Sequence, residues 1–294
     1  MSEPQFGSAN QPPQPSVCKN HPETTAYVRC QRCGEPICAR CMNEAVVGVQ
    51  CPQCVKAGAK AVRAPKTITG AKQVQGRPYV TYTLIGVNAV VWLLQLTIGW
   101  QAFSSWFVFA PFLGVEEPWR FLTSSFLHSQ TALYHILFNM FALYSVGTQF
   151  EYILGRWHYL TLYLLSAFGG SVAVLLLAQP GGDSWVTPVL GASGAIFGLF
   201  GALIPYYRSI GSDLRGLAGL FAINLAIPFF VPQVSWQGHL GGLVVGVLVG
   251  YLFMWAPRDR RLMVSIGGSV VVALGLVGLI ALKYSQVDAA LYLF

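Results

Sequence analysis

The segment GASGAIFGLFG at residues 191–201 contains a single hydroxyl side chain, Ser193, among glycines and large apolar residues. Small residues recur at every fourth position here and in a second segment, GHLGGLVVGVLVG, which carries His239. They are Gly194, Gly198 and Ala202 in the first segment, and Gly238, Gly242, Gly246 and Gly250 in the second. This spacing lets two helix backbones approach closely in lipid. The segments are therefore predicted to pack as helices, with the Ser193 hydroxyl and the His239 imidazole within hydrogen-bond reach.

The composition of the chain is that of a membrane protein. Of its 294 residues, 54% are hydrophobic and only 10% are charged, against about 25% charged in soluble domains. The net charge of +7 is interpreted as a topology signal and as contact with anionic lipid, because the basic residues stand at segment boundaries. A nucleic-acid-binding function is not favoured.

Seven windows approach the roughly 20 apolar residues that a membrane-spanning helix needs. They are 79–100, 129–150, 157–178, 188–207, 214–233, 236–256 and 262–282. The aromatic-rich connection 101–128 is interrupted by proline and glycine, so it is interpreted as a loop in the membrane interface. The predicted fold class is an all-α polytopic membrane protein with seven transmembrane helices and a small N-terminal metal-binding domain.

The distribution of basic residues predicts the orientation. With the N-terminus in the cytoplasm, sixteen of the eighteen Lys and Arg residues lie on the inner side, as the positive-inside rule requires. Only Arg120 and Lys283 remain outside. The prediction is a multi-pass protein of the cell membrane with an external C-terminus.

Four polar side chains in three of these spans are predicted to lie at a similar depth. They are His135 and Asn139 in the second span, Ser193 in the fourth and His239 in the sixth. A histidine base can activate a serine nucleophile, and His135, the Asn139 amide and the backbone N–H of Ser193 are candidate donors to an oxyanion. Spans two, four and six contain no Asp or Glu, which favours a Ser–His dyad over a triad. The alternative for each group alone is helix packing and interhelical hydrogen bonding.

The motifs together resemble the rhomboid intramembrane serine proteases over about residues 79–256. The resemblance depends on Trp119-Arg120, on HSQTALYHILFNMFALYSVGTQFE at 128–151, and on the serine and histidine segments. It implies that Ser193 is the nucleophile and His239 the general base. The oxyanion-stabilising and supporting groups that it implies are His135, Asn139, Gly191 and His128. Phe197 stands where some members have a tyrosine that stacks on the base.

The same resemblance implies a six-helix core with a water-filled cavity, in which the loop 101–128 is embedded in the membrane. Residues 229–236 are similar to part of a substrate gate. The seventh span, within residues 257–294, resembles the extra C-terminal helix of one subgroup and is interpreted as a lipid-facing appendage.

The expected function is hydrolysis of peptide bonds in or near the transmembrane helices of substrate proteins. The alternative is a catalytically inactive rhomboid-like protein that binds membrane clients, although both Ser193 and His239 are retained. A receptor or transporter would be expected to have charged or broken segments near the membrane midplane, and the predicted spans have none.

A cysteine-rich module is predicted at residues 17–55, after a disordered polar tail at 1–16 and before a basic linker at 56–78. All seven cysteines fall within it, and one histidine completes four ligand pairs: Cys18 and His21, Cys30 and Cys33, Cys38 and Cys41, Cys51 and Cys54. Eight ligands suit two tetrahedral zinc ions. Interleaved and sequential pairing both remain open.

The spacing of these ligands resembles B-box zinc fingers. Sites without a vacant position are structural, and folding of so short a segment should be coupled to metal binding. The module is expected to bind a cytoplasmic protein partner, or to report on redox or metal state, while contact with nucleic acid is the weaker alternative.

Overall fold

The computed structural model describes residues 16–61, 66–71, 73–217, 219, 222 and 234–291. The chain divides into two compact units between Ala64 and Pro65, inside the predicted linker. Each unit is described by itself.

The N-terminal unit contains three two-stranded antiparallel sheets and one helix. Its elements are β1 (Ser16–Cys18), β2 (His21–Ala26), β3 (Val28–Arg29), β4 (Pro36–Ile37), a 3-10 turn (Ala39–Cys41), β5 (Asn43–Glu44), β6 (Val49–Gln50) and α1 (Pro52–Ala61). Apart from cysteines, its buried cluster contains only Ala26 and Ile37. So small an apolar core does not stabilise a fold without staples.

The second unit is almost entirely helical. Its helices are α2 (Tyr79–Ile98), α3 (Arg120–Thr123), α4 (Leu133–Ala142), α5 (Thr148–Leu154), α6 (Arg156–Leu177), α7 (Asp183–Val186), α8 (Ser193–Ser209), α9 (Trp236–Met254) and α10 (Arg261–Ser285). Among the described helices, α2, α6, α9 and α10 are long and apolar enough to cross a membrane. The segment 101–128 has short 3-10 turns at Ser104–Trp106, Pro111–Leu113 and Ser124–Phe126.

The second and fourth predicted spans differ from the continuous helices that their windows predict. The second is formed by α4 and α5, joined by a π-helical turn at Leu143–Gly147. The fourth is the 17-residue helix α8, which begins at Ser193 rather than at 188, because Gly191 takes a φ of 125° just before it. Most of the fifth window, 214–233, and most of the predicted gate at 229–236 fall outside the described residues. The count of seven spans therefore stays a prediction.

Helices α8 and α9 pack backbone to backbone through the glycine faces that the spacing predicts. A Cβ atom added at Gly242 would lie 1.9 Å from the carbonyl oxygen of Gly194, and one at Gly246 would lie 2.0 Å from that of Gly198. On the other side of α9, a Cβ at Gly241 would lie 2.4 Å from the carbonyl oxygen of Gly169 in α6. Only glycine allows these contacts, and they bring the beginnings of α8 and α9 together.

The beginning of α2 is held by a buried carboxylate. Glu151, which has no exposed surface, accepts hydrogen bonds from the backbone N–H groups of Val80 and Thr81 at 3.1 and 2.9 Å. The Thr81 hydroxyl donates to the same carboxylate at 2.9 Å. The first N–H groups of a helix have no acceptor within the helix, so this carboxylate satisfies two of them and complements the helix dipole.

Candidate active site

Ser193 and His239 are in direct contact. Ser193 is the first residue of α8, and His239 lies in the first turn of α9, where the Ser235 hydroxyl caps the helix by accepting from Gly238 N at 3.3 Å. Ser193 Oγ lies 2.9 Å from His239 Nε2, within normal hydrogen-bond distance. The ring of Phe197 stacks on the imidazole, with centroids 3.9 Å apart and planes 12° apart.

The other nitrogen of His239 has no carboxylate partner. The residue is 5% exposed, and within the described part of the chain no group hydrogen-bonds its buried Nδ1. The geometry is therefore that of a dyad, in which the aromatic face of Phe197 orients the imidazole in place of an acidic side chain.

His135 faces the same space from α4. The backbone N–H of Ser129 donates to His135 Nδ1 at 3.2 Å, so the neutral ring carries its hydrogen on Nε2. A Cβ atom at Gly191 would lie 3.0 Å from His135 Nε2 and 3.8 Å from Ser193 Oγ. The imidazole N–H and the hydroxyl thus flank the small space that Gly191 leaves open. The N–H of Ser193 adjoins it, and as a first-turn group it has no acceptor within α8.

These groups line a cavity of about 50 Å³, enough to admit water. A larger cavity of about 300 Å³ adjoins it. Both cavities are lined by His135, Val189, Leu190, Val234 and Ser235. Ser193 and His239 are therefore reached through a space walled in part by the chain segment just before α8.

Two predicted supporting residues do not line either cavity. The Asn139 amide donates to the carbonyl of His135 at 2.7 Å, a bond within its own helix. His128 is fully buried, with its ring 5.2 Å from that of His135, and burial lowers its pKa to about 3. Within the described residues, neither side chain hydrogen-bonds to Ser193.

Sequence reasoning missed several residues at the cavity, among them two serines of the segment 101–128. Ser124 and Ser125 line the cavity, and the Ser124 carbonyl accepts from Gly191 N at 3.0 Å. Both lie in the irregular segment 101–128, where no helical or strand periodicity signals which side chains face inward.

The eight predicted metal ligands form two separate groups. Cys18, His21, Cys38 and Cys41 form one, and Cys30, Cys33, Cys51 and Cys54 form the other, with the ligand atoms of each group within 4.8 Å of one another. This is the interleaved arrangement. The backbone N–H of Lys19, next to Cys18, donates to the carbonyl of Pro36 at 3.2 Å, which brings the first pair of this group close to Cys38 and Cys41.

The distances between ligand atoms fit a tetrahedral zinc site. With Zn–S bonds of about 2.3 Å, neighbouring sulfurs are separated by about 3.8 Å. Cys33 Sγ and Cys51 Sγ are 3.8 Å apart, and His21 Nδ1 lies 3.8, 3.4 and 3.3 Å from the sulfurs of Cys18, Cys38 and Cys41. The backbone N–H of Cys51 donates to Cys30 Sγ at 3.2 Å and, together with further hydrogen bonds, lowers the pKa of that thiol.

Comparison with known proteins places two domains on the chain. Residues 115–256 match the Rhomboid domain family model, and residues 13–45 match the B-box zinc finger family model. The first metal group lies within the B-box match, whereas Cys51 and Cys54 of the second lie beyond it.

Similar proteins include Rhomboid protease GluP of Bacillus subtilis, which is 33% identical over 58% of this chain and 34% of its own length. RHOMBOID-like protein 1 of Arabidopsis thaliana is 35% identical over 49% of this chain and 36% of its own length. The mitochondrial Rhomboid protein 1 of Saccharomyces cerevisiae is 28% identical over 62% of this chain and 55% of its own length. The chain thus spans about a third to a half of the length of the curated relatives it matches. The Rhomboid domain match covers just under half of the chain, and the B-box zinc finger match precedes it.

Proposed function

We propose that the rhomboid domain is a serine endopeptidase that hydrolyses peptide bonds in or near the transmembrane helices of other membrane proteins. The observation that carries this proposal is the 2.9 Å contact between Ser193 Oγ and His239 Nε2 beside a cavity that admits water. The name of the relative GluP describes that protein as a protease and adds support.

In the proposed mechanism the Ser193 hydroxyl donates its proton to His239 Nε2 as Oγ attacks the scissile carbonyl carbon. The carbonyl oxygen becomes an oxyanion, which accepts hydrogen bonds from His135 Nε2–H and the backbone N–H of Ser193. The imidazolium then protonates the leaving amine, and an acyl-enzyme remains. Water from the cavity attacks the ester, with His239 again as the base.

Phe197 has a specific part in this scheme. The imidazolium that forms on His239 has no carboxylate to neutralise it, and a cation over an aromatic face is stabilised by about 0.5–2 kcal/mol. The stacked ring, at 3.9 Å, supplies such a face without a hydrogen bond.

The test uses the full chain in detergent with a fluorogenic single-span substrate and a fluorophosphonate label. Ser193→Ala is expected to lower cleavage at least about 10⁴-fold and to abolish labelling. Ser145→Ala is the matched control, because its hydroxyl bonds only to the carbonyl of Phe141 in its own helix, and it should retain both activities. A wild-type chain that neither cleaves nor labels would support the inactive client-binding alternative instead.

We further propose that the N-terminal unit binds two structural zinc ions, one in each group of four ligands. The support is the fit of the ligand distances and the small size of the apolar core among the described residues. Purified protein should contain about two zinc ions per chain, and Cys38→Ser and Cys51→Ser should each lose one. We propose a cytoplasmic protein as the partner of this unit.

The proposed orientation has a cytoplasmic N-terminus and an external C-terminus. The two basic residues assigned to the outer side are both engaged with backbone carbonyls: Arg120 donates to Ser105 and Val108, and Lys283 to Leu176 and Ala178. Their roles in folding account for these exceptions to the charge asymmetry. Reporter fusions at the two termini test the orientation.

A further inference from the structure

The C-terminal end of α10 is tied to the rest of the domain by polar contacts. Lys283 Nζ donates to the carbonyls of Leu176 and Ala178 at 3.1 and 2.9 Å. Leu176 is in the last turn of α6 and Ala178 directly follows the helix. Carbonyls at a helix end have no donor within the helix, so the ammonium acts as a C-terminal cap and complements the helix dipole.

The next residue, Tyr284, is bound to the segment 101–128. Its hydroxyl donates to the carbonyl of Pro111, and its side chain is buried, with 8% exposed. A Cβ atom at Gly114 would lie 2.4 Å from the same hydroxyl, so the backbone there makes room for the tyrosine. The fit is specific to a side chain of this length and polarity.

The chain after α10 makes a third contact. The indole N–H of Trp185 in α7 donates to the carbonyl of Leu291 at 2.9 Å, and the Trp185 ring packs edge-on against that of Tyr284, with centroids 6.1 Å apart. Trp185 is 1% exposed. The end of α10 therefore holds both Pro111 and α7.

Pro111 and Trp185, which the end of α10 contacts, are close in sequence to the two members of a backbone pair that forms part of the cavity wall. Phe109 and Val189 exchange two hydrogen bonds, Val189 N to Phe109 O at 2.7 Å and Phe109 N to Val189 O at 3.3 Å. Pro111 follows Phe109 by two residues, and Trp185 precedes Val189 by four. Val189 lines both cavities beside Ser193.

The rest of α10 has little contact with the domain. Within the helix only Ser265, Leu276 and Tyr284 are buried, while side chains such as Val271 and Leu274 are 69% and 65% exposed. An interpretation of α10 as a lipid-facing appendage accounts for this exposed surface but not for the polar contacts concentrated at its end.

We propose that the C-terminal end of α10, through Lys283 and Tyr284, is a positioning element that holds the Phe109–Val189 pair, and with it the cavity wall, in place for cleavage of polypeptide substrates. The proposal rests on the proposed protease function. Tyr284 and Lys283 are positioning residues, since they act through the wall rather than on the reacting atoms.

The test compares two reactions of Ser193 in the full chain. Peptide cleavage needs both the dyad and the wall, whereas labelling by a small fluorophosphonate depends mainly on the dyad. Tyr284→Phe removes one hydroxyl, and Tyr82→Phe is the matched control because Tyr82 is 42% exposed. Loss of a hydrogen bond worth about 0.5–1.5 kcal/mol predicts a fall of about 2- to 10-fold in kcat/KM for the single-span substrate. The labelling rate should stay within about 2-fold of wild type, with all assays run well below each melting temperature.

Each outcome has a defined meaning. Reduced cleavage with preserved labelling in Tyr284→Phe, and not in Tyr82→Phe, supports the proposal. Cleavage equal to wild type overturns it while the protease function stands, and an equal loss of cleavage and labelling overturns it in favour of a general loss of structure. A wild-type chain inactive in both reactions overturns the protease function itself. Should Tyr284→Phe fail to fold, Lys283→Met is measured in the same way, with the same outcomes.

Discussion

Adding one methyl group to the α8–α9 interface should separate the Ser193 hydroxyl from the His239 imidazole. In Gly242→Ala the new Cβ would lie 1.9 Å from the carbonyl oxygen of Gly194, so the two backbones must part by about 1.5 Å to restore van der Waals contact. Gly194 follows Ser193 directly, and Gly242 is three residues from His239. The same displacement lengthens the 2.9 Å contact between Ser193 Oγ and His239 Nε2 to about 4 Å, where a hydrogen bond is lost.

The expected cost of Gly242→Ala is about 1–3 kcal/mol in unfolding free energy from overpacking. Loss of the general base should lower cleavage and fluorophosphonate labelling by about 10²- to 10⁴-fold. Gly275→Ala is the matched control, because a Cβ there meets no atom within 4 Å and alanine favours a helix by about 1 kcal/mol. Gly242→Ala with wild-type labelling and stability would refute the argument that glycine contacts bring the dyad together.

Three further predictions concern other sites. Glu151→Gln should lower the unfolding free energy by about 1.5–3 kcal/mol, since the N–H groups at the start of α2 lose a charged acceptor; thermal unfolding checks this against the exposed Glu116→Gln. The pKa of His128 is lowered by burial to about 3, below its unfolded value of about 6.5. The contribution of the neutral imidazole to the unfolding free energy is thus fully present above about pH 6.5. It declines by up to about 1.4 kcal/mol per pH unit as the pH falls towards 3, so the melting temperature of His128→Asn should depend less on pH than that of the wild type. Removal of zinc by a chelator should expose residues 16–55 to proteolysis while the melting temperature of the rhomboid domain remains unchanged, because the two units are separately compact.

The contact between Ser193 and His239 is predictable from sequence because it follows from backbone geometry. Glycine at every fourth position marks a face of each helix for close packing, and both polar residues adjoin that face. The position of Phe197 beside the base is equally a matter of helical spacing, since Phe197 lies one turn after the serine. Periodic patterns of this kind describe which groups share a face.

Features that depend on competition between hydrogen-bond acceptors, or on partners distant in sequence, cannot be predicted from such periodic patterns. The spacing of Asn139 places it on the face of His135, but its amide bonds to a carbonyl of its own helix, as polar side chains in helices often do. Zinc-ligand spacing fits two pairings, and only the positions of the four ligand pairs in the fold distinguish them. Charge counting places Lys283 on the outer side but does not reveal that its partners are carbonyls at the end of another helix.

The π-helical turn at Leu143–Gly147 changes the directions in which the two halves of its segment present their side chains. In a regular helix of about 100° per residue, His135 and Glu151 would point about 160° apart. The wider turn absorbs one additional residue and so turns the later half back by about 100°. The continuous segment α4–α5 thereby presents the His135 imidazole to the cavity beside Ser193 at one end. At its other end it presents the Glu151 carboxylate to the start of α2.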